Sequence, residues 1–189
     1  MKIRWAIFAS GHGSNLQNVL NLQSQALIPQ QEVAWVHADR PCRAIERAQE
    51  YGIPTWVQSP KADGYLTNTL EKLEQARIDR IFLLGYMRVL NADFLAAVSR
   101  PVLNLHPSLL PAYRGLRAIE RAYEAGEPWV GVSIHEVTAE LDAGPLVAQA
   151  KIERNAQESL DSLILRVHEL EYALVREYLL SLESRIGLE

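Results

Sequence analysis

The chain of 189 residues has a single cysteine, two methionines and three phenylalanines. One cysteine, Cys42, excludes an intramolecular disulfide and any Cys-rich zinc site, and reads as a small, partly buried side chain. Nowhere does an apolar run approach the roughly 20 residues that a membrane helix needs. The opening "MKIRWAIFAS" is too short for one, and the glycines and polar residues after it do not form a signal-peptide cleavage region. It reads as the first buried strand of a cytoplasmic protein. An excess of positive charge is also missing. With 19 Lys and Arg against 23 Asp and Glu, the net charge is −4, which argues against nucleic acid as a partner. Small anionic ligands remain open, because a few local donors suffice for them. There is no G-x-S-x-G nucleophile turn, and Cys42 lacks a supporting motif. His12, His37, His106, His135 and His168 show neither H-x-x-x-H nor HExxH spacing, so no metal is expected. What is left is acyl or one-carbon transfer without a covalent enzyme intermediate.

What the chain does contain is an alternation of strand and helix signals. "IRWAIFA" is near-continuously apolar, as a buried parallel strand is. A helix follows, with Ser14 or Asn15 as its cap, and then strands at "VAWVHA", "IPTWVQ", "DRIFLLGYM" (79–87) and "PVLNLH", with helices between them. "LRAIERAYEAG" is a further helix ended by Gly126. "VGVSIHEV" (130–137) and "PLVAQAKI" (145–152) alternate and are close enough to pair antiparallel. A long amphipathic helix closes the chain. The expected fold is α/β: a Rossmann-like, mostly parallel sheet with helices on both faces, an antiparallel strand pair and a long C-terminal helix. No repeat or flexible linker divides it, so residues 1–189 are expected to form a single domain.

Two places carry chemistry. "SGHGSN" (Ser10 to Asn15) lies between the first strand and the first helix, where backbone N–H groups and the helix dipole favour a phosphate or carboxylate. Gly11 and Gly13 permit close approach, and Ser14 and Asn15 add donors. The third glycine of a dinucleotide fingerprint is absent, since position 16 is Leu16. The loop therefore reads as a mononucleotide-like phosphate seat, with Asp39 near the end of the second strand. The second place is "VLNLHPSLLPAYRG". Asn104 and His106 are two apart, so they share a face at the carboxyl end of a strand, and Pro107 then breaks the ladder. A His supplies a proton or positive charge near neutral pH, and an Asn amide donates to an oxyanion without titrating. A carboxylate to complete the set is offered by "ELDAGP", as Asp142 or its competitor Glu140.

"SGHGSNLQ", "GYMRVL", "NLHPSLLP", "SIHEVTAELDAGP" and "QAKI", in that order, resemble the formyltransferase family that uses 10-formyltetrahydrofolate. Within it the nearest likeness is to the branch acting on glycinamide ribonucleotide in purine synthesis. The resemblance implies that Asn104, His106 and Asp142 are catalytic and that Gly13, Ser14 and Asn15 hold the substrate phosphate. It implies that Met87, Arg88, Val89 and Leu90 line the pterin pocket, mainly through backbone groups. Thr138, Ala139, Glu140, Leu141 and Asp142 would form the loop against the folate, with Asn104 beside it. His168, Glu169, Leu170 and Glu171 would reach the substrate amine. Residues 1–100 would be the phosphate-binding half and 101–189 the catalytic and folate-binding half. In this scheme the amine attacks the formyl carbon, cationic His106 and Asn104 hold the oxyanion, and Asp142 keeps His106 protonated.

Two departures leave alternatives open. Where the family has an Arg before the third helix, the chain reads "SPKADGY", which makes Lys61 the folate-binding candidate. Where the purine enzymes have a His-containing segment, it reads Arg114-Gly115-Leu116-Arg117, and these arginines are candidates for an acceptor phosphate. Standalone length suits the glycinamide ribonucleotide acceptor. An amino-sugar nucleotide acceptor and a non-catalytic nucleotide or folate binder are the alternatives.

Overall fold

The computed structural model describes residues 2–186. Seven strands form one sheet in the order β3-β2-β1-β4-β5-β6-β7. They are β1 (Ile3–Ala9), β2 (Gln31–Ala38), β3 (Thr55–Val57), β4 (Arg80–Leu83), β5 (Val102–His106), β6 (Trp129–Glu136) and β7 (Leu146–Glu153). The first five run parallel, and β6 and β7 add antiparallel to them. The helices are α1 (Ser14–Ser24), α2 (Arg43–Glu50), α3 (Tyr65–Gln75), α4 (Ala92–Ala97), α5 (Ala118–Glu124) and α6 (Leu160–Ile186). None of the described helices is long and apolar enough to cross a membrane.

Alternation along β1 explains the layers. Trp5, Ile7 and Ala9 face one core with α1, α2, α5 and α6, whereas Ala6 and Phe8 face a second with α3 and α4. The expected helices on both faces are thus present. Between β1 and β4 the strand order reverses, and such a switch point opens a crevice at the carboxyl ends of the strands. Ser10 N–H donates to the Gly85 carbonyl there at 3.1 Å, and the Met87 N–H donates to Ser10 Oγ at 2.9 Å. The sheet also runs across the expected boundary at residue 100, because β4 pairs with β5 through Ile81 and Val102.

Differences from the sequence reading have local causes. β4 ends at Leu83, well short of Met87, because Gly85 takes a left-handed turn at φ 74°. α5 begins only at Ala118, because Arg117 before it is left-handed at φ 56°. Gly13, rather than Ser14 or Asn15, occupies the cap position of α1. Asn91 does cap α4, its side chain accepting from Phe94 N–H at 2.9 Å.

Phe8 centres an aromatic cluster with Trp35, His37, Tyr86 and Phe94. His37 is fully buried within it. Its Nδ1–H donates to the Trp56 carbonyl at 3.2 Å, and Nε2 accepts from the Tyr65 and Tyr86 hydroxyls at 3.2 and 3.3 Å. A neutral ring satisfies all three contacts. Burial lowers the His37 pKa from 6.5 to about 4, against smaller raising effects of Trp56 and Asp39. The folded state therefore binds fewer protons than the unfolded one between these values. The contribution is complete above pH 6.5 and is lost as pH falls to about 4, on the order of 3 kcal/mol in all. His37→Gln should flatten that part of the stability curve in denaturant titrations at pH 4 to 7. An unchanged slope would refute the assignment.

Candidate active site

Period two on β5 places Asn104 and His106 on one face at the strand's end. β6 pairs antiparallel beside them, with Asn104 opposite His135 and His106 opposite Ser133. The loop after β6 then returns Asp142 to the same spot. Asp142 Oδ2 lies 3.4 Å from His106 Nδ1, and Oδ1 lies 3.4 Å from both Asn104 Nδ2 and His135 Nε2. Asn104 Nδ2 also lies 3.1 Å from His135 Nε2, and His135 Nδ1 lies 2.8 Å from the Glu136 carbonyl oxygen. His106, His135 and Asp142 are all buried. Asn104 and His106 on β5 and His135 on β6 thus surround one carboxylate.

The segment after β5 supports this group at two points. His106 Nε2–H donates to the Tyr113 carbonyl at 3.0 Å, and Gly115 N–H donates to Asp142 Oδ2 at 2.8 Å. The segment is itself pinned from below. Ser133 Oγ donates to the Ser108 carbonyl at 2.7 Å and accepts from Leu110 N–H at 3.2 Å. Gln149 on β7 donates to Ser133 Oγ at 2.8 Å and to the Leu110 carbonyl at 3.1 Å. On the other side, Gly144 passes so close to β6 that a Cβ would stand 1.9 Å from the Glu136 carbonyl oxygen. Glycine there lets the Asp142 loop close against the strand.

Burial alone would raise the Asp142 pKa, but the hydrogen bonds from His135 and Gly115 and the neighbouring His106 hold it below the usual carboxylate value. Asp142 is therefore ionised at neutral pH. Burial pushes His106 below the ordinary histidine value, against the raising influence of the Tyr113 carbonyl and Asp142. The expectation that Asp142 keeps His106 protonated is not met in the unliganded protein. Asp142 pulls in that direction, and desolvation of the ring pulls harder. Both ring nitrogens nevertheless face oxygens, an arrangement that only the imidazolium satisfies on both sides. A further negative charge arriving at the ring would tip this balance to the cation.

A cavity of about 410 Å³ opens over this group. Met87, Arg88, Val89 and Leu90 line it together with Thr138, Ala139, Leu141, Asp142, Asn104 and His106. Met87 and Val89 are well exposed, and Leu90 is buried. Arg88 Nε donates to the buried Asp39 at 2.7 Å. Glu140 does not line this cavity. It turns outward and pairs with Arg114 at 2.7 Å, because solvated surface suits an unshared carboxylate, so Asp142 alone is the inward carboxylate. Lys61 lies outside the 410 Å³ cavity. It lines an adjoining cavity of about 710 Å³ that shares Arg88, Val89 and Leu90 with the first. Arg117 lines the smaller cavity but pairs at the surface with Glu124 at 3.2 Å.

The glycine loop adjoins this region through Ser10 and meets α6. Asn15 Nδ2 donates to Glu171 Oε2 at 2.9 Å, although 156 residues separate them. Both are buried, and Asn15 Oδ1 has no hydrogen-bond partner in the protein. Burial raises the Glu171 pKa, against the effects of Asn15 and nearby His168. Of the four α6 residues expected at the substrate amine, Glu171 alone is buried. His168 and Glu169 are exposed, and Leu170 packs on the core, because successive helical residues turn about 100°.

His135 is the principal residue missed in the sequence. Alternation sets it with Gly131 and Ser133 rather than with the apolar Val132 and Ile134, and only the register with Asn104 brings it to Asp142. The Asp39–Arg88 pair was also missed, since strand ends on β2 and β4 become neighbours only through β1. Gly13 shows why the loop needs glycine: at φ 73° its added Cβ would meet Ala44 Cα and Cβ at 2.7 Å. Gly13→Ala should destabilise the fold by about 2 to 4 kcal/mol, from overpacking of α1 on α2 and left-handed strain. Gly11 has open space around it, so Gly11→Ala should stay within about 1 kcal/mol of the parent in urea titrations. Equal effects at both positions would contradict this packing account.

The formyl transferase family model matches residues 3–179. Phosphoribosylglycinamide formyltransferase of Bacillus subtilis is 33% identical over 190 residues, covering 96% of this chain and 97% of that protein. The enzyme of the same name from Escherichia coli is 34% identical over 89% of this chain and 81% of its own length. Among solved structures, glycinamide ribonucleotide transformylase 1 from Geobacillus kaustophilus superposes with a TM-score of 0.90 at 36% identity, covering 96% of this chain and 99% of that one. With the sheet, the Asn–His–Asp cluster and these likenesses in agreement, the chain belongs to the formyl transferase family.

Proposed function

We propose that the protein transfers a formyl group from 10-formyltetrahydrofolate to the amine of glycinamide ribonucleotide. The observation that carries this reading is the convergence of Asn104, His106 and Asp142 in the lining of the 410 Å³ cavity. That cavity is large and apolar enough for a pterin, and its exposed Met87, Val89 and Leu141 side chains supply the faces to cover one. In this reading the backbone of Met87 to Leu90 offers hydrogen bonds to the pterin edge. The adjoining 710 Å³ cavity takes the rest of the folate, with Lys61 as a point charge for its carboxylates. Gly13, Ser14 and Asn15 hold the ribonucleotide phosphate at the α1 N-terminus. Glu171 and the unpartnered Asn15 Oδ1 are the acceptors nearest that loop, and they suit the amide and amine hydrogens of the acceptor.

The reaction then needs no covalent enzyme intermediate. The acceptor amine attacks the formyl carbon and a C–N bond forms, placing negative charge on the formyl oxygen. His106 takes a proton from solvent at Nδ1 as the reactants bind. The Asn104 amide and that Nδ1–H donate to the oxyanion, giving up long 3.4 Å contacts with Asp142 to do so. His106 returns the proton to solvent when the product leaves. The oxyanion offsets the desolvation that disfavours the His106 cation at rest. Asp142, ionised and close to both, takes the proton that leaves the amine and passes it, through water, to the departing folate nitrogen as the old C–N bond breaks. Removing one oxyanion donor typically lowers the rate about 10²–10³-fold. His106→Ala and Asn104→Ala should each lose kcat on that scale while remaining folded. Purified protein should formylate glycinamide ribonucleotide in preference to an amino-sugar nucleotide, followed by release of tetrahydrofolate. Undiminished turnover in His106→Ala would refute the mechanism, and preference for the sugar nucleotide would reassign the acceptor.

A further inference from the structure

We propose that Tyr113 is a positioning residue that orients His106 through its backbone carbonyl, and that the bond from its phenol to Glu127 holds that carbonyl in place. The inference rests on the formyl-transfer reading and adds a determinant to its central histidine. The Tyr113 carbonyl accepts from His106 Nε2–H at 3.0 Å, so it occupies one ring nitrogen and leaves Nδ1 as the atom directed at Asp142. Tyr113 presents this carbonyl from a left-handed backbone at φ 56°, a conformation that a residue with a Cβ adopts only when its surroundings fix it. Packing alone does not fix it, because a cavity of about 80 Å³ is lined by Tyr113, Ile119, Ala122, Glu127 and Trp129 among others. What does bracket the residue is polar. Its hydroxyl donates to Glu127 Oε1 at 2.6 Å, and the Arg121 guanidinium lies 5.7 Å from its ring centroid. Glu127 is anchored in turn by its own N–H on the Ala122 carbonyl at 3.1 Å, just past α5. The chain of contact therefore runs from α5 through Glu127 and Tyr113 to His106. Neither Tyr113 nor Glu127 lines the 410 Å³ cavity, so neither touches a ligand there.

Tyr113→Phe keeps the ring and removes only the tether. Its kcat should fall by about 10- to 100-fold, the scale of a small misplacement of a reacting group, with the KM of each substrate within about twofold. Nitrogen-15 NMR of unliganded protein should show His106 protonated at Nε2 in the parent and shifted toward the Nδ1–H tautomer or a mixture in the variant. Glu127→Ala should reproduce both effects, and the double variant should be no worse than either single one. Glu127→Gln retains an acceptor oxygen and should restore the parent's kcat and His106 signals. Parent-like kcat and parent-like His106 signals in folded Tyr113→Phe or Glu127→Ala would overturn the proposal, as would a lower melting temperature as the sole change. Absence of formyl transfer in the parent would sink the activity reading instead, and the NMR comparison would still decide the tether.

Discussion

The site depends on an ionised carboxylate kept away from water. Burial of a carboxylate is costly unless each oxygen finds a donor, and Asp142 finds one for each. Gly115 N–H approaches one oxygen, and the Asn104 amide the other, with the two imidazoles close on either side. Gly115, Asn104 and His106 are all far from Asp142 in sequence, and His135 lies near the end of the strand that leads into its loop. They meet because β5 and β6 pair in one register, and a shift of a single residue would turn Asn104 and His106 to the opposite face. Register is therefore the link between fold and chemistry. The Ser108–Ser133–Gln149 network fastens β6 and β7 to the loop that follows β5 and supplies Gly115.

Much of the architecture was legible because it follows from periodicity. Near-continuous apolar strands, helices between them and the alternating pair at β6 and β7 specify an α/β sheet with an antiparallel end. The pairing of Asn104 with His106 on one face was legible for the same reason. Asp142 over Glu140 was a choice between two carboxylates in one turn, and it was decided by direction. Asp142, left-handed at φ 48°, turns inward, and Glu140 turns out to Arg114. What sequence could not supply were contacts across strands and through backbone. His135, the Tyr113 carbonyl and the Gly115 N–H act through register and loop conformation, for which no residue type is a signal. The protonation of His106 was misjudged for a related reason. A neighbouring carboxylate is visible in a motif, but the depth of burial that opposes it is a property of the assembled core.

The acceptor side of the site has a different character. Arg114 and Arg117, the cationic candidates for a phosphate, are spent on Glu140 and Glu124 in exposed pairs of the kind that contribute little to stability. The glycine loop has backbone donors and a helix N-terminus behind it, and needs no arginine to hold a phosphate. At its end, Asn15 has an amide oxygen without a donor, and it meets Glu171 of α6, a carboxyl whose pKa burial has raised. An unpartnered acceptor in a buried place is unfavourable for the empty protein and favourable for a ligand that carries N–H groups. On the proposed reading, phosphate donors with one unsatisfied acceptor and a buried carboxyl beside them suit a ligand with an anion and an amine or amide a short distance apart. Glycinamide ribonucleotide has both, with its nucleophilic nitrogen at the end remote from the phosphate. The contact from Ser10 to Met87 joins this region to the 410 Å³ cavity at the strand-order reversal, and on the proposed reading both substrates approach the carboxylate from that one crevice. On the proposed reading, a ligand with only a phosphate would leave Asn15 Oδ1 unpaired, and binding strength would be lost for that reason.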